Sequence, residues 1–179
     1  MLVVGAAPGS VCPAEARVLI DRERALAAAF PGATIKTRTV FLDSTAARRA
    51  EQAAGAKLAS PRVVRYEATR NDTLLGVAYL DTHRVRTMNE TVLVTVTPAG
   101  RVGVVETLAF AEPDDYLPPR RWLATFADQA LTRDLRPGGA VPNLGGSTLT
   151  ARAVATAVRR TLALHAAIAE ADKSRGGRK

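Results

Sequence analysis

Three hydroxyl side chains follow two glycines near the C-terminal end of the chain. They belong to the run Gly145, Gly146, Ser147, Thr148, Leu149 and Thr150 (GGSTLT). Glycine lets the backbone approach a ligand closely and adopt positive φ. Each hydroxyl can donate a hydrogen bond to a phosphate oxygen, or be esterified by phosphate. The chemistry that these residue types suit is therefore the binding, or the covalent attachment, of a phosphate group.

A helix must position these hydroxyls, and the sequence predicts the longest helix of the chain over Thr148 to Ala171. Its expected apolar stripe is Leu149, Ala153, Ala157 and Thr161, with Val154, Val158 and Leu162 beside it. The first turn of a helix carries free N–H groups and the positive end of the dipole, which together favour an anion. The alternative is a plain loop with an N-cap. No Gly-Lys-Ser/Thr follows the glycines, so the segment is not a P-loop, and no predicted strand leads into it as a dinucleotide fingerprint requires.

The remaining pattern predicts an α+β fold with a mostly antiparallel sheet, packed helices and the long C-terminal helix. Short helices are expected over Asp21 to Phe30 and, after an N-cap offered by Asp43, Ser44 and Thr45, over Ala46 to Ala54. A third helix is expected over Arg120 to Gln129, before a Gly- and Pro-rich linker at 136–146. The predicted strands are 34–42, 63–68, 74–80, 91–97 and 102–110.

Composition limits the function classes. The 179 residues are 47% hydrophobic and include one cysteine, Cys12, so the chain is globular and holds no internal disulfide. Only two histidines are present, and no run of apolar residues is long enough for a membrane helix. The net charge of +8 fits either a polyanionic partner or simple solubility, but the basic residues are scattered, with little aromatic interleaving for nucleic acid.

The hydroxyl run resembles the flavinylation motif of the FMN-binding domain family, whose members include the covalent-flavin subunits of Rnf and Nqr ion-pumping complexes. The family reads Asp-x-x-Ser/Thr-Gly-Ala-Thr at the entry to a helix. Its acceptor threonine falls on Thr148, its glycine on Gly146 and its alanine on Ser147. This chain departs from the pattern at the aspartate, which is Pro142, and at the first hydroxyl residue, which is Gly145.

The resemblance extends over about Thr39 to Ala167 in the family order. The segment Gly76 to Thr87 resembles the strand at which the sheet meets the flavin, and Glu112 to Tyr116 resembles the turn before the family's Trp/Phe helix. The cofactor-binding residues that follow from the motif and its context are Thr148, Gly146, Ser147, Gly145, Leu149, Thr150, His83, Arg86 and Glu112.

Several of these residues have a structural alternative. The group His83, Arg84, Arg86 and Glu90 would either line the flavin or form an exposed loop with a local Arg–Glu pair. For Glu112 a structural role, accepting backbone N–H groups in the turn before Tyr116, is the better expectation than catalysis. Trp122 and Phe126 are expected in the core, His165 at a helix end, and the helix arginines on a solvated face, with Arg152 near enough to touch a phosphate.

The resemblance implies FMN as the cofactor, attached by a flavin transferase through a phosphoester to Thr148. It implies an extracytoplasmic, periplasmic or membrane-associated electron carrier that works with membrane or soluble redox partners and not as a stand-alone enzyme. The organisation expected is a degenerate signal or disordered N-terminus at 1–18, a single FMN-binding domain at 19–171 and a disordered basic tail at 172–179. The alternatives left open are non-covalent FMN, a flavin-free structural or ligand-binding member, and a polyanion or nucleic-acid binder. No metal and no nucleic-acid partner is expected.

Overall fold

The computed structural model describes residues 16–176. The architecture confirms the α+β prediction: six antiparallel strands form one sheet in the order β1-β6-β5-β4-β3-β2, with helices packed on it. The strands are β1 Arg17–Val18, β2 Thr34–Phe41, β3 Arg62–Arg70, β4 Thr73–Arg84, β5 Asn89–Val96 and β6 Val102–Phe110. The helices are α1 Arg22–Ala29, α2 Ser44–Ala54, α3 Arg120–Leu123 and α4 Thr148–Gly176.

Local signals explain where the first elements begin and end. The Asp21 side chain accepts the N–H of Arg24 to cap α1, and the Asp43 side chain accepts two N–H groups to cap α2. Helix α2 ends at Gly55, which adopts the left-handed conformation at φ 66°. The turn between β3 and β4 is tighter than the predicted loop, because Asn71 and Asp72 both adopt positive φ and close a two-residue hairpin.

The two faces of the sheet carry different helices because side chains alternate along each strand. Val77 and Tyr79 of β4 point into a large core with α3 and α4, whereas Ala78 between them packs in a second core that includes Leu26 and Phe30 of α1. Helices α2 and α4 meet through small side chains, Ala50, Ala54, Ala163 and Ala167, which permit close approach. Trp122 and Phe126 are buried, as predicted, and Phe110 is buried with them.

The predicted helix over 120–129 is wrong in its second half. α3 stops at Leu123, a 3₁₀ turn follows at Ala124–Phe126, and the chain then turns at residues 127 and 128, where Asp128 adopts φ 60°. The cause is tertiary: the Asp128 N–H donates to the Val102 carbonyl, and the Val102 N–H donates to the Gln129 carbonyl, at 2.8 and 2.9 Å. These bonds to β6 replace those that a longer helix would have made.

Both ends of the described chain also differ from expectation. Arg17 and Val18, within the segment assigned to a signal or disordered N-terminus, pair with Ala109 and Phe110 of β6. Helix α4 continues to Gly176, so residues 172–176 of the expected disordered tail are helical. The rest of both terminal segments, including Cys12, lies outside the described residues. Within residues 16–176, we find no helix with the length and hydropathy needed to cross a membrane.

Candidate functional site

The start of α4 separates the three candidate hydroxyls. The Ser147 carbonyl accepts the Ala151 N–H at 2.9 Å, which is the first hydrogen bond of the helix. Thr148 is exposed, whereas Ser147 is 6% and Thr150 only 1% exposed. Thr150 therefore faces the interior, and Thr148 presents the hydroxyl that a large ligand can reach.

Open space adjoins the two glycines that precede Thr148. Gly146 adopts φ 77°, a conformation that other residues rarely take, and a Cβ atom added to Gly145 or Gly146 would meet no atom within 4 Å beyond its chain neighbours. Among residues 16–176, no protein group accepts the backbone N–H of Thr148, Leu149 or Thr150. These donors form the electropositive end of α4, so the site suits an anion.

Leu149 corrects the predicted apolar stripe of the helix. Leu149 is 46% exposed. The rest of the predicted surface is largely confirmed, because the buried residues of α4 include Ala157, Thr161, Val154, Val158 and Leu162, together with Ala151. An exposed leucine next to Thr148 gives the motif an apolar contact surface as well as an anion site.

A chain of contacts joins the motif to two other predicted site residues. The Ser147 hydroxyl donates to the Asp115 carbonyl at 3.2 Å, which fixes the motif against the 3₁₀ turn Asp114–Tyr116. On the other side of this turn, the Arg86 guanidinium lies 4.3 Å from the centre of the Tyr116 ring, within range of a cation–π interaction. The motif, this turn and the β4–β5 turn therefore form one continuous surface.

Glu112 holds that β4–β5 turn in place. One carboxylate oxygen accepts the N–H groups of Arg86, Thr87 and Met88 at 3.1, 2.8 and 2.9 Å. These bonds, that of Met88 foremost, lower the pKa of the Glu112 carboxyl. The expected donors were in the turn before Tyr116, and this detail was wrong: the N–H groups come from the turn at 86–88. Glu112 reaches that turn because the preceding residue, Ala111, donates to the carbonyl of Asn89, where β5 begins.

His83 belongs to a different environment. We call Asp81, His83, Glu90 and Arg160 the charged cluster. His83 Nδ1 lies 3.0 Å from Asp81 Oδ1, and His83 Nε2 lies 3.2 Å from Glu90 Oε2. Arg160 of α4 donates to both Asp81 oxygens at 2.6 and 2.7 Å, and the Thr107 hydroxyl donates to Glu90 at 3.2 Å.

The charged cluster is buried, so its protonation is set by its own members. The His83 side chain is 9% exposed, that of Asp81 13% and that of Glu90 0%. Burial opposes the imidazolium charge, but the hydrogen bonds with Asp81 and Glu90 outweigh burial and raise the pKa of His83 to about 9. Burial likewise opposes the Asp81 charge, and His83 and Arg160 more than compensate, so the pKa of Asp81 is lowered.

Sequence reasoning grouped His83, Arg84, Arg86 and Glu90, and the structure divides them. Arg84 and Arg86 are exposed, whereas Glu90 is fully buried beside His83 and pairs with no arginine of residues 16–176. The exposed-loop alternative is therefore wrong for Glu90. The sequence analysis missed the partners Asp81 and Arg160, which are 79 positions apart. The local sign of the cluster is that Asp81 lies two residues before His83, so both side chains lie on the same face of β4.

Two further residues have structural places. Trp122 packs edge-on against Phe126, with ring centres 5.2 Å apart, and its indole N–H donates to the Pro142 carbonyl at 2.8 Å. This bond anchors the Gly- and Pro-rich linker immediately before the motif. His165 shares a 2.9 Å hydrogen bond with the Tyr79 hydroxyl. Because α4 continues to Gly176, His165 is not at the helix end, and burial lowers its pKa.

Comparison with known proteins adds no family to this geometry. No protein-family model matches the chain, and no curated protein matches it.

Proposed function

We propose that this chain is an FMN-binding electron-transfer protein whose flavin is joined through a phosphoester to Thr148. The observation that carries the proposal is the exposed Thr148 hydroxyl in the first turn of α4, beside Gly146 at φ 77° and three backbone N–H groups that have no protein acceptor among the described residues. The resemblance of residues 145–150 to the flavinylation motif supplies the identity of the anion.

The residues present fit a flavin phosphate. The space beside Gly145 and Gly146 admits the phosphate, and the N–H groups of Thr148, Leu149 and Thr150 donate to it. Leu149 offers an apolar side chain for the ring system, and Arg86 and Tyr116 border the same surface. Glu112 acts through the turn at 86–88 and is a positioning residue.

The flavin supplies one- and two-electron redox chemistry when bound, and the protein supplies attachment and surroundings. In the attachment step the Thr148 oxygen gives up its proton and bonds to the phosphorus of a flavin nucleotide supplied to the transferase. The bond from that phosphorus to its leaving group breaks, so the chain gains the mass of FMN less one water. A covalent link retains the cofactor in a protein that works outside the cytoplasm with membrane or soluble redox partners, which is the location that we propose.

The test is expression with a flavin transferase in an exporting host, followed by denaturation and gel filtration. We expect yellow colour to remain with the wild-type chain and to be lost from Thr148→Ala. Thr150→Val is the matched control, because it removes the neighbouring hydroxyl while keeping the volume of a buried side chain. Colour retained by Thr148→Ala would contradict the assignment.

The same experiment separates the alternatives. Colour that copurifies with the native protein but leaves on denaturation identifies non-covalent FMN. A colourless wild-type chain that folds normally identifies a flavin-free member. The missing motif aspartate, replaced by Pro142, is the specific observation that favours these two outcomes.

A further inference from the structure

Three guanidinium groups line one cleft beside α4. This arginine cleft has a volume of about 350 Å³ and is lined by Leu135, Arg136, Pro137, Arg152, Ala155, Thr156 and Arg159. No aspartate or glutamate is among these lining residues. Arg136 touches Asp134 at 3.3 Å, whereas Arg152 and Arg159 form no side-chain hydrogen bond or ion pair with any residue in 16–176.

The fold holds the Arg159 side chain in a fixed position at the edge of the cleft. Its Nε is buried without a hydrogen-bond partner. Its Nη2 lies 3.3 Å from the position that a Cβ atom would take on Gly55, so the side chain rests against the C-terminal cap of α2. The negative end of the α2 dipole favours a cation here but leaves the guanidinium donors without acceptors. The Nε atom itself is closed to solvent, so a ligand in the cleft would meet this guanidinium through its other N–H groups, which are not buried.

Helix geometry makes the cleft continuous with the motif. Thr148, Arg152, Ala155 and Arg159 are spaced by four, three and four residues, so they share one face of α4. Arg152 and Arg159 are two turns apart, roughly 10 Å along the helix axis. Two forked cations at that spacing, with Arg136 facing them from the linker, can hold one or two phosphate groups.

We propose that the arginine cleft is a binding site for the phosphate groups of a small phosphorylated ligand. Guanidinium groups bind phosphate through paired N–H donors, and an anion would relieve the repulsion among three like charges in one cleft. Two sources share this chemistry: the phosphate of the flavin proposed at Thr148, one turn away from Arg152, or a separate phosphorylated molecule.

The primary test uses inorganic pyrophosphate as the probe and the flavin-free Thr148→Ala chain as the protein, with binding measured by calorimetry at constant ionic strength. We expect saturable binding that weakens about tenfold or more in Arg152→Gln and in Arg159→Gln. Arg121→Gln is the matched control, since Arg121 is exposed and lies outside the cleft. Equal binding by all variants, or no saturable binding, would overturn the proposal.

A second experiment identifies which molecule supplies the phosphate group in the cleft, and it rests on the proposed function. If the flavin's own phosphate occupies the cleft, the flavinylated wild-type chain should bind pyrophosphate far more weakly than Thr148→Ala. Equal binding by both assigns the cleft to a separate ligand. Because the primary test needs no flavin, its failure is distinguishable from a failure of the Thr148 assignment.

Discussion

Arg159 and Arg160 are neighbours in α4, but only Arg160 has a carboxylate partner among the described residues. Arg160 donates to both oxygens of Asp81 and completes the charged cluster, in which every charge has a partner within the chain. Arg159 lines the arginine cleft, and its guanidinium has no acceptor among residues 16–176. A basic residue on the same helix thus supports the fold in one case and is left for a ligand in the other. The difference is the presence of an acceptor, which charge counting alone does not reveal.

The same contrast applies to the hydroxyls of the motif. Ser147 bonds Asp115 and ties the motif to the rest of the fold, and Thr150 is buried. Thr148 is exposed beside backbone donors that also have no acceptor among the described residues. Partnered groups position the site, and the groups without partners are those that we propose to bind the flavin and its phosphate.

The largest effect should come from Arg160→Gln. Removing one member of a buried ion pair leaves Asp81 short of its main partner, and we expect the free energy of unfolding to fall by about 3 kcal/mol. Arg159→Gln makes the same chemical change one position earlier and should change the free energy of unfolding by about 0.5 kcal/mol or less. Urea unfolding of the two variants measures both values. Similar losses of stability in the two variants would contradict this distinction between Arg160 and Arg159.

The second prediction is that the protein's stability depends on pH through the ionisation of His83. Its folded pKa of about 9 lies above the ordinary value of 6.5, so the stabilisation is fully present below pH 6.5 and is lost as the pH rises through about 9. The groups facing it are Asp81 on β4 and Glu90 on β5, with Arg160 of α4 behind Asp81.

The shift corresponds to a loss on the order of 3 kcal/mol across that range. Unfolding of the wild-type chain as a function of pH should show this decline, and His83→Gln should not. NMR titration of the His83 imidazole in the intact protein provides a direct check. An ordinary pKa near 6.5 would mean that the cluster does not hold a charged histidine.

A smaller loss of stability is expected at Glu112, whose carboxylate holds the β4–β5 turn in place. In Glu112→Gln an amide oxygen replaces the charged acceptor of three N–H groups, so stability should fall by about 1–2 kcal/mol. The lowered pKa gives the sign: the stabilisation is present above pH 4.5 and is lost as the pH falls through the folded pKa. Thermal unfolding at neutral and acidic pH measures both effects. Glu106→Gln, on an exposed ion pair with Arg120, is the control and should change stability by less than about 1 kcal/mol.

The sequence was informative where the signal is local. Asp43 and Gly55 mark the ends of α2, and strand β6 was predicted over its full length. The motif at 145–150 was recognisable because its residue types are contiguous. By contrast, α3 ends early since residues 128 and 129 bond to Val102, a contact across 26 positions that no local pattern carries.

The charged cluster and the arginine cleft were missed for the same reason. Asp81 and Arg160 meet only when α4 packs on β4, and Arg136 joins Arg152 and Arg159 only when the linker folds beside the helix. The hydrophobic periodicity predicted the helix correctly but assigned Leu149 to the wrong face. Small and apolar residues occur on several faces of α4, so packing against the sheet decides which face is buried.

Peptide mapping of the chain expressed with a flavin transferase tests the central claim most directly. Tryptic cleavage should release residues 134–152, since Pro137 protects the bond after Arg136. We predict that this peptide carries one FMN less one water, and that fragment ions place the addition on Thr148. An unmodified peptide alongside a protein that retains flavin after denaturation, or an addition on Ser147 or Thr150, would contradict the account.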